Sequence, residues 1–339
     1  MTTTPSRTPL TARCSEDLIA LAPVVLGFWP EESIVLLTFG AARPFHARVD
    51  LPPREVQDKK VRGEVCRMLL GPAQRYGVRA VVLLYFTSDL LAAEAVHTTL
   101  ARGCRRARIQ VVSGVVADGH AYVDLGAGGG RLGPPTPYDV TIHPFVLDAL
   151  VSGQLPHRSR DEMAAGLELD PVLAAPVLAA LADGGLLDTG PPADGRAIGT
   201  QGAWVEQTVA RAVATGELPR PGELARLLWT LQVPLVRDAA WSLLDRAGAT
   251  AHVRFWTDVL RRAPDPVAAA PAALLGWSAW QAGDGALAWA AVDRCRRSEP
   301  AYPLAADLAK LLEHAVPPES WTGVPDWRIG LPRGGGDAH

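Results

Sequence analysis

The sequence predicts an α/β N-terminal domain, a layered mixed sheet with helices, followed by an all-α C-terminal domain of helical hairpins. Three observations support this. With 339 residues, the chain exceeds the usual size of a single hydrophobic core. In its first half, short apolar runs alternate with helically spaced segments, as in layered α/β folds. From residue 203 onward the apolar spacing is helical. The predicted divisions are 1–142 for the α/β domain, 143–202 for a helical connector and linker, 203–318 for the hairpin array and 319–339 for an irregular tail.

The first elements follow from capping and periodicity. Ser15, Glu16 and Asp17 suit a helix N-terminus, and apolar residues then recur at helical spacing up to Gly27. Residues 33–39 (SIVLLTF) are almost wholly apolar, which is typical of a strand covered on both faces. Residues 45–51 (FHARVDL) alternate between apolar and polar side chains, which indicates a second strand with two different faces.

The rest of the first half continues the alternation. A helix is predicted over about residues 55–76, a buried strand over 80–86 (AVVLLYF), and a helix capped by Ser88 and Asp89 up to about residue 107. A hairpin through Asp118-Gly119 then ends this half at about residue 125. The resulting order is α, β, β, α, β, α, β, β.

The second half is predicted to be helical. Gly and Pro make residues 190–202 the best linker candidate. Two later segments, 239–266 and 278–303, resemble each other: each gives a helix with Ala-Trp, a Gly-containing turn, and a helix that ends in Arg-Arg. Their offset of about 35 to 39 residues is close to the period of helix-hairpin repeats, and the second copy is tetratricopeptide-like.

Charge and cysteine content exclude several classes. The net charge is −3 and the pI about 6.2, so the whole molecule lacks the positive field of a non-specific nucleic-acid binder. The four cysteines are far apart and form no zinc-ligand pattern. No apolar stretch approaches the length of a signal peptide core or a membrane span. These features predict a cytoplasmic protein that contacts neither membrane nor nucleic acid and has reduced thiols.

The segment FWPEES at residues 28–33 raises the question of a binding site. Strand direction predicts that this segment, Asp50 and the end of the strand 80–86 lie along one edge of the sheet, where open α/β sheets usually bind ligands. The candidate ligand-binding residues are Trp29, Glu31, Glu32, Ser33, Asp50, Tyr85, Ser88 and Asp89. Two interpretations remain open: a ligand or Mg²⁺-type site, because hard cations prefer carboxylate oxygens, or a set of turn and capping residues.

Three stretches carry a family resemblance. They are EDLIALAPVVLGFWPEESIVLLTF with HARVDLPP, then VRDAAW, and finally FWTDVLRRAPDPVAAAPAALLGWSAWQAGDGALAWAAVDRCRRSEPAYPLAADL with VPPESW. Together they resemble an actinobacterial family known as domain of unknown function 4192, over nearly the whole chain. The resemblance implies no activity. Where that family often has His after Gly-Phe this chain has Trp29, and where relatives often have a cysteine-bearing segment it has the loop around Gly128. Both differences argue against a transition-metal site.

Two functions are compatible with the sequence. The favoured one is a non-catalytic protein-interaction, scaffold or regulatory module without a cofactor, which the repeat-like second half and the lack of a strong catalytic motif suggest. Trp277, Trp280 and Asp284 are its candidate partner-binding residues, because tryptophans often anchor interfaces. The alternative is a metal-assisted hydrolase or phosphoryl-transfer enzyme that uses Mg²⁺ at the acidic sheet edge. Neither the partner nor the oligomeric state follows from the sequence.

Overall fold

The computed structural model describes residues 11–41, 45–151, 156–183, 194–324, 326–329 and 331. The chain divides into two compact units, Met1–Arg160 and Asp161–His339. The first contains a mixed six-stranded sheet, and in the described residues of the second we find only helices and their connections. The predicted domain limits at residues 142, 202 and 318 are finer than this division and stay predictions.

The sheet of the first unit has the order β2-β1-β3-β4-β5-β6. Its strands are β1 (Ser33–Phe39), β2 (His46–Asp50), β3 (Ala80–Phe86), β4 (Gln110–Ala117), β5 (Ala121–Leu125) and β6 (Thr136–Pro137). β1 lies between β2 and β3 and is antiparallel to both, so β2 and β3 run in the same direction. β3 and β4 form a parallel pair, because a helix crosses between them. The predicted hairpin through Asp118-Gly119 is present as the antiparallel pair of β4 and β5.

Helices cover both faces of this sheet. They are α1 (Ser15–Leu26), α2 (Lys59–Arg75), α3 (Leu90–Arg106) and α4 (Pro144–Val151). On one face Leu36 and Leu83 pack in a single core with Leu69 of α2 and Leu100 of α3. Asp124, which alternates to the other face from the core residue Leu125, accepts a hydrogen bond from Ser15 of α1 at 2.6 Å. β1 is therefore buried from Ser33 to Thr38, as its apolar run predicted.

Helix α1 begins where the sequence predicts but is capped differently. Its N-cap residue is Cys14, and Asp17 accepts hydrogen bonds from the backbone N–H groups of Arg13 and Cys14. Ser15 is the first helical residue and uses its hydroxyl for the contact with Asp124. Asp17 also pairs with His143 at 3.0 Å, which fixes α1 next to the start of α4.

The second unit is built around one central helix. Its helices are α5 (Arg160–Ala165), α6 (Pro171–Asp183), α7 (Gly195–Thr215), α8 (Pro221–Thr230), α9 (Pro234–Trp241), α10 (Ala249–Leu260), α11 (Asp265–Gln281), α12 (Gly285–Ser298) and α13 (Pro303–Glu313). α11 is buried continuously from Val267 to Gln281, because it is apolar on every side. It contacts α8, α9, α10, α12 and α13. In a solenoid each repeat contacts only its neighbours, so the tetratricopeptide-like arrangement is not confirmed.

Part of the predicted linker is helical. Residues 190–193 of this segment lie outside the described residues, but 195–202 form the first two turns of α7. Asp194 caps that helix by accepting hydrogen bonds from the N–H groups of Arg196 and Ala197. Gly202, which the sequence reading counted as a linker residue, is buried against Trp327. Because Gly202 has no side chain, the Trp327 ring can pack directly against the helix at this position. The glycine therefore serves packing and not chain flexibility.

The chain segment after α13 packs onto the helices. Trp321 stacks on Trp241 with ring centroids 5.9 Å apart, and it lies 5.6 Å from the ring of Trp277. Of the predicted irregular tail, residues 332–339 lie outside the described residues. None of the described helices has the length and apolar character that a membrane crossing would require.

Candidate functional site

The FWPEES segment, Asp50 and the end of β3 meet at one edge of the sheet. Ser33 at the start of β1 pairs with Asp50 at the end of β2 on one side and with Phe86 at the end of β3 on the other. The backbone N–H of Leu51 also donates to the carbonyl of Glu32 at 2.8 Å. The convergence predicted from strand direction is therefore confirmed.

Glu32 occupies an unusual backbone position at this edge. Its φ of 40° is positive, which is uncommon for a residue other than glycine and costs conformational energy. Two contacts hold it there: its carbonyl accepts from Leu51, and its carboxylate accepts from the hydroxyl of Thr87 at 2.8 Å. Glu32 thus connects the start of β1 to the ends of β2 and β3. Sequence reading did not single out Thr87 as its partner.

Asp50, Arg48 and Ser33 form a second set of contacts beside it. Arg48 donates from Nη1 to Asp50 at 2.6 Å and from Nε to the Ser33 hydroxyl at 2.8 Å. The Ser33 hydroxyl donates in turn to the carbonyl of Glu31. Burial lowers the pKa of Arg48, and the neighbouring Asp50 partly opposes that shift. Asp50 is thus the counter-ion of Arg48.

Asp89 and Ser88 complete the edge at the start of α3. One oxygen of Asp89 accepts from the backbone N–H of Ala92 at 3.0 Å, which makes Asp89 the N-cap of the helix. Its other oxygen lies 3.6 Å from Nε of Arg54. Ser88 is exposed and offers its carbonyl to the N–H of Leu90. Glu32, Asp50 and Asp89 therefore each have a partner of their own, and the described residues contain no group of three or more acidic, His or Cys side chains placed to hold a metal ion.

Of the remaining predicted members of the site, Tyr85 lies elsewhere. The side chain of Tyr85 is fully buried in the core between the sheet and helices α2 and α3, so it does not reach the edge. Its hydroxyl lies 3.2 Å from Nδ1 of His97. Trp29 is half-buried, and its backbone N–H donates to the carbonyl of His157 at 2.9 Å. The sequence reading placed Tyr85 at the edge by its position at a strand end, without knowing which face it occupies.

His97 is a buried polar residue that sequence reading missed. Its Nε2 lies 3.1 Å from the carbonyl of Gly126, which can only accept, so Nε2 carries the hydrogen. Nδ1 is then an acceptor, and the Tyr85 hydroxyl donates to it. Burial lowers the pKa of His97, which suits this neutral form. A Cβ on Gly114 would come within 2.4 Å of the imidazole, and glycine in an apolar strand was the available sequence signal.

The Gly-rich loop that follows β5 is held by this arrangement. Its first residue, Gly126, accepts from His97, and Gly129 has a φ of 94° and contacts Thr98 of α3 closely enough that a Cβ would clash. Arg131 at the end of the loop pairs with Glu94 of α3 at 2.8 Å. The loop is thus packed on α3.

In the second unit the predicted partner-binding residues are buried or cap a helix. Trp277 and Trp280 are each 4% exposed, and their indole N–H groups donate to the carbonyls of Leu304 and Val316. Asp284 caps α12 by accepting from the N–H of Leu287 at 2.9 Å. These contacts make both tryptophans core residues of the helical unit, and their burial gives no support to a role as surface anchors.

A groove of about 320 Å³ lies between α6 and the start of α8. Its lining is apolar apart from one cation. The lining residues from α6 are Val172, Leu173, Pro176 and Val177, and those from the segment around the start of α8 are Leu218, Pro219, Pro221 and Leu224. Arg262 is the one charged residue among the described lining residues, and its Nη1 donates to the backbone carbonyl and the carboxylate of Asp258. A second cavity of about 180 Å³ shares Leu218 with this groove.

The outer side of α6 continues the apolar character of the groove. Ala174, Val177 and Leu181 face the interior, whereas an apolar set on the other side is exposed. This exposed set, which we name the α6 surface, consists of Val172, Ala175, Pro176, Leu178 and Ala179. Val172 alone is 81% exposed. The α6 surface and the groove share Val172 and Pro176, so they form one continuous apolar area.

A family profile described as Domain of unknown function (DUF4192) matches residues 16–319. The chain belongs to the DUF4192 family. The DUF4192 match includes both the sheet edge of the first unit and the α6 groove of the second. Comparison with curated proteins and with solved structures gives no match.

Proposed function

We propose that the protein is a cytoplasmic, non-catalytic protein-interaction module that binds a protein partner on the α6 surface and its groove. The observation that carries this proposal is the continuous apolar area on one side of α6. Single exposed apolar residues are normal on soluble proteins, but contiguous apolar patches are typical of interaction sites. A groove of about 320 Å³ is at the small end of the range for ligand pockets, so it suits anchoring side chains of a partner.

The contacts at the sheet edge favour this function over the metal-assisted alternative. A hydrolase or phosphoryl-transfer site with Mg²⁺ would use several carboxylate oxygens directed at one point. At this edge Glu32 is bound to Thr87, Asp50 to Arg48, and Asp89 to the N-terminus of α3. These contacts support a structural role for the carboxylates.

Site-specific photo-crosslinking tests the proposal. Val172 on the α6 surface is replaced by p-benzoylphenylalanine, and Val112, which is 59% exposed on β4 of the first unit, receives the same group as a matched control. We expect a discrete crosslinked species in cells only for the Val172 position. Leu178→Asp should reduce its yield at least about tenfold, because full burial of a leucine contributes about 1.5–3 kcal/mol.

Two results would contradict the proposal. One is the absence of any specific crosslinked species at Val172. The other is an identical set of species at Val172 and Val112, which would show that the group reports general exposure. Thermal melting of the Leu178→Asp variant must match that of the unmodified protein, so that a lower yield reflects the surface.

A further inference from the structure

Helix α4 of the first unit has an exposed apolar stripe. Val146 and Ala149 face inward, whereas Leu147, Leu150 and Val151 are exposed by 44%, 50% and 86%. Their spacing of three and four residues places these three side chains along one side of the helix. With 3.6 residues per turn, the exposed Asp148 adjoins the stripe next to Val151. α4 thus presents a convex apolar stripe with a carboxylate at its border.

The α6 groove has complementary properties. It is concave and apolar, and its charged lining residue is the cation Arg262. The hydrogen bonds found for Arg262 use only Nη1, so Nε and Nη2 can donate to a further carboxylate. Near the groove, Arg220 and Arg254 are exposed, and Glu217 and Asp258 line the adjoining cavity. Each of the neighbouring carboxylates Asp258, Glu223 and Asp170 already pairs with an arginine, whereas Arg262 keeps donors that face no described carboxylate of its own chain.

We infer that the groove binds α4 of a second copy of this chain. The apolar stripe of α4 lies on the α6 surface, and Asp148 pairs with Arg262. The inference rests on the proposed function, because it names the partner of the same surface. Contact between two α4 stripes is less favourable, since it would bring two Asp148 carboxylates together without a cation. Pairing with the groove instead brings together opposite charges and surfaces of opposite curvature.

The contact joins two different surfaces, so it is heterologous. Such a contact closes into a ring or continues into a longer assembly. An eight-residue helix on one groove forms a small interface, which is typical of weak and transient association. We therefore expect assembly in the range of about 10–100 µM, which corresponds to a free energy of association of roughly −6 kcal/mol.

Sedimentation velocity of the full chain from about 5 to 500 µM tests the inference over the range that weak interfaces require. The weight-average mass should rise with concentration. Leu150→Asp on α4 and Val172→Asp on α6 should each shift the rise to at least about tenfold higher concentration. Val112→Asp, the same change at an exposed site on β4, should leave it unchanged.

A charge exchange gives a stricter test. Asp148→Arg and Arg262→Glu should each abolish self-association, and an equimolar mixture of the two variants should assemble again. In the mixture, the arginine on α4 of one variant faces the glutamate in the groove of the other. Because Arg262→Glu also leaves Asp258 without its partner, the melting temperature of that variant is measured first. If it does not fold, Asp148→Arg mixed with Arg262→Gln replaces the pair, and recovery is expected to be partial.

The outcomes separate this inference from the proposed function. A protein that stays monomeric up to about 500 µM, a concentration well above the range expected for a weak interface, would overturn self-association. So would a mixture that fails to assemble. The Val172 crosslink in cells still reports on any other partner. If the protein is monomeric but Val172 crosslinks to a different protein, the proposed function is supported and only self-association is overturned. A crosslinked species made of two copies of this chain would support both.

Discussion

Replacement of Tyr85 and His97, singly and together, tests the buried hydrogen bonds that join β3, α3 and the Gly-rich loop. Tyr85→Phe leaves Nδ1 of His97 without a donor inside the core. His97→Leu leaves both the Tyr85 hydroxyl and the Gly126 carbonyl without this partner. In the double variant the hydroxyl and the imidazole are both gone, and the Gly126 carbonyl keeps only its hydrogen bond from the backbone N–H of Gly129 at 2.8 Å.

The expected magnitudes follow from burial. Tyr85 and His97 are both 0% exposed, so a group left without a partner has no access to water. Each such group costs about 1–3 kcal/mol. We expect Tyr85→Phe to lower the free energy of unfolding by about 1–2 kcal/mol and His97→Leu by about 2–4 kcal/mol. The double variant should cost about as much as His97→Leu alone, so the coupling energy should equal the cost of Tyr85→Phe, about 1–2 kcal/mol.

The assay has to report on the first unit. Hydrogen exchange read by mass spectrometry in peptides covering residues 80–106 follows β3 and α3, whereas nine of the ten tryptophans lie in the second unit. Additive losses, within about 0.5 kcal/mol, would refute the reasoning, because independent groups show no coupling.

The burial of His97 also predicts that the stability of the first unit depends on pH. Burial lowers the pKa of His97 below its ordinary value, so the folded protein keeps the imidazole neutral. Below about pH 6.5 the unfolded chain binds a proton that the folded chain does not. Stability from His97 is therefore present above about pH 6.5, and it is lost as the pH falls toward the lower folded pKa, by at most about 1.4 kcal/mol per pH unit. His97→Leu should reduce this slope in the 80–106 peptides, and an unchanged slope would contradict the assignment.

Two further changes test contacts in the second unit. Gly202→Ala places a methyl group 2.3 Å from the Trp327 ring, so we expect the free energy of unfolding in urea to fall by about 1–3 kcal/mol. Gly199→Ala is the control, because the nearest heavy atom to its added methyl group is 3.9 Å away, and it should leave stability unchanged or higher. Equal effects of the two changes would contradict the packing of Gly202 on Trp327. Asp238→Ala removes the carboxylate bound by the buried Arg237 and should lower the melting temperature, at a cost of about 2 kcal/mol; an unchanged melting temperature would show that the pair is not structural.

The convergence at the sheet edge could be predicted, but its chemistry could not. Strand direction follows from the connections, so Glu32, Asp50 and Asp89 were correctly brought to one edge. Tyr85 was misplaced because β3 is buried on both faces, and an apolar run carries no period that tells one face from the other. The partners Thr87, Arg48 and Arg54 depend on rotamers and register, which a linear pattern does not contain.

The second unit shows the same division at a larger scale. Helical spacing and proline positions predicted its helices, including α11 and α12. The similarity of residues 239–266 and 278–303 suggested equivalent hairpins, yet α9 has 8 residues and α11 has 17. Because α11 is apolar on all sides, it became the centre of the unit, and Trp277 and Trp280 went into its core. Similar sequence segments can therefore form an exposed helix in one place and a central helix in another, because the packing of the neighbouring helices decides which of them is buried.

By itself, the sequence determined the order of elements, their approximate limits and the edge at which polar residues meet, because periodicity, caps and chain direction are local properties. Tertiary structure alone decided that the edge carboxylates are individually bound, that Gly114 and Gly202 make room for His97 and Trp327, and that α4 and α6 leave apolar faces exposed. Each of these depends on side chains distant in sequence that compete for the same space and the same hydrogen bonds. That competition is settled only when all the elements are packed together.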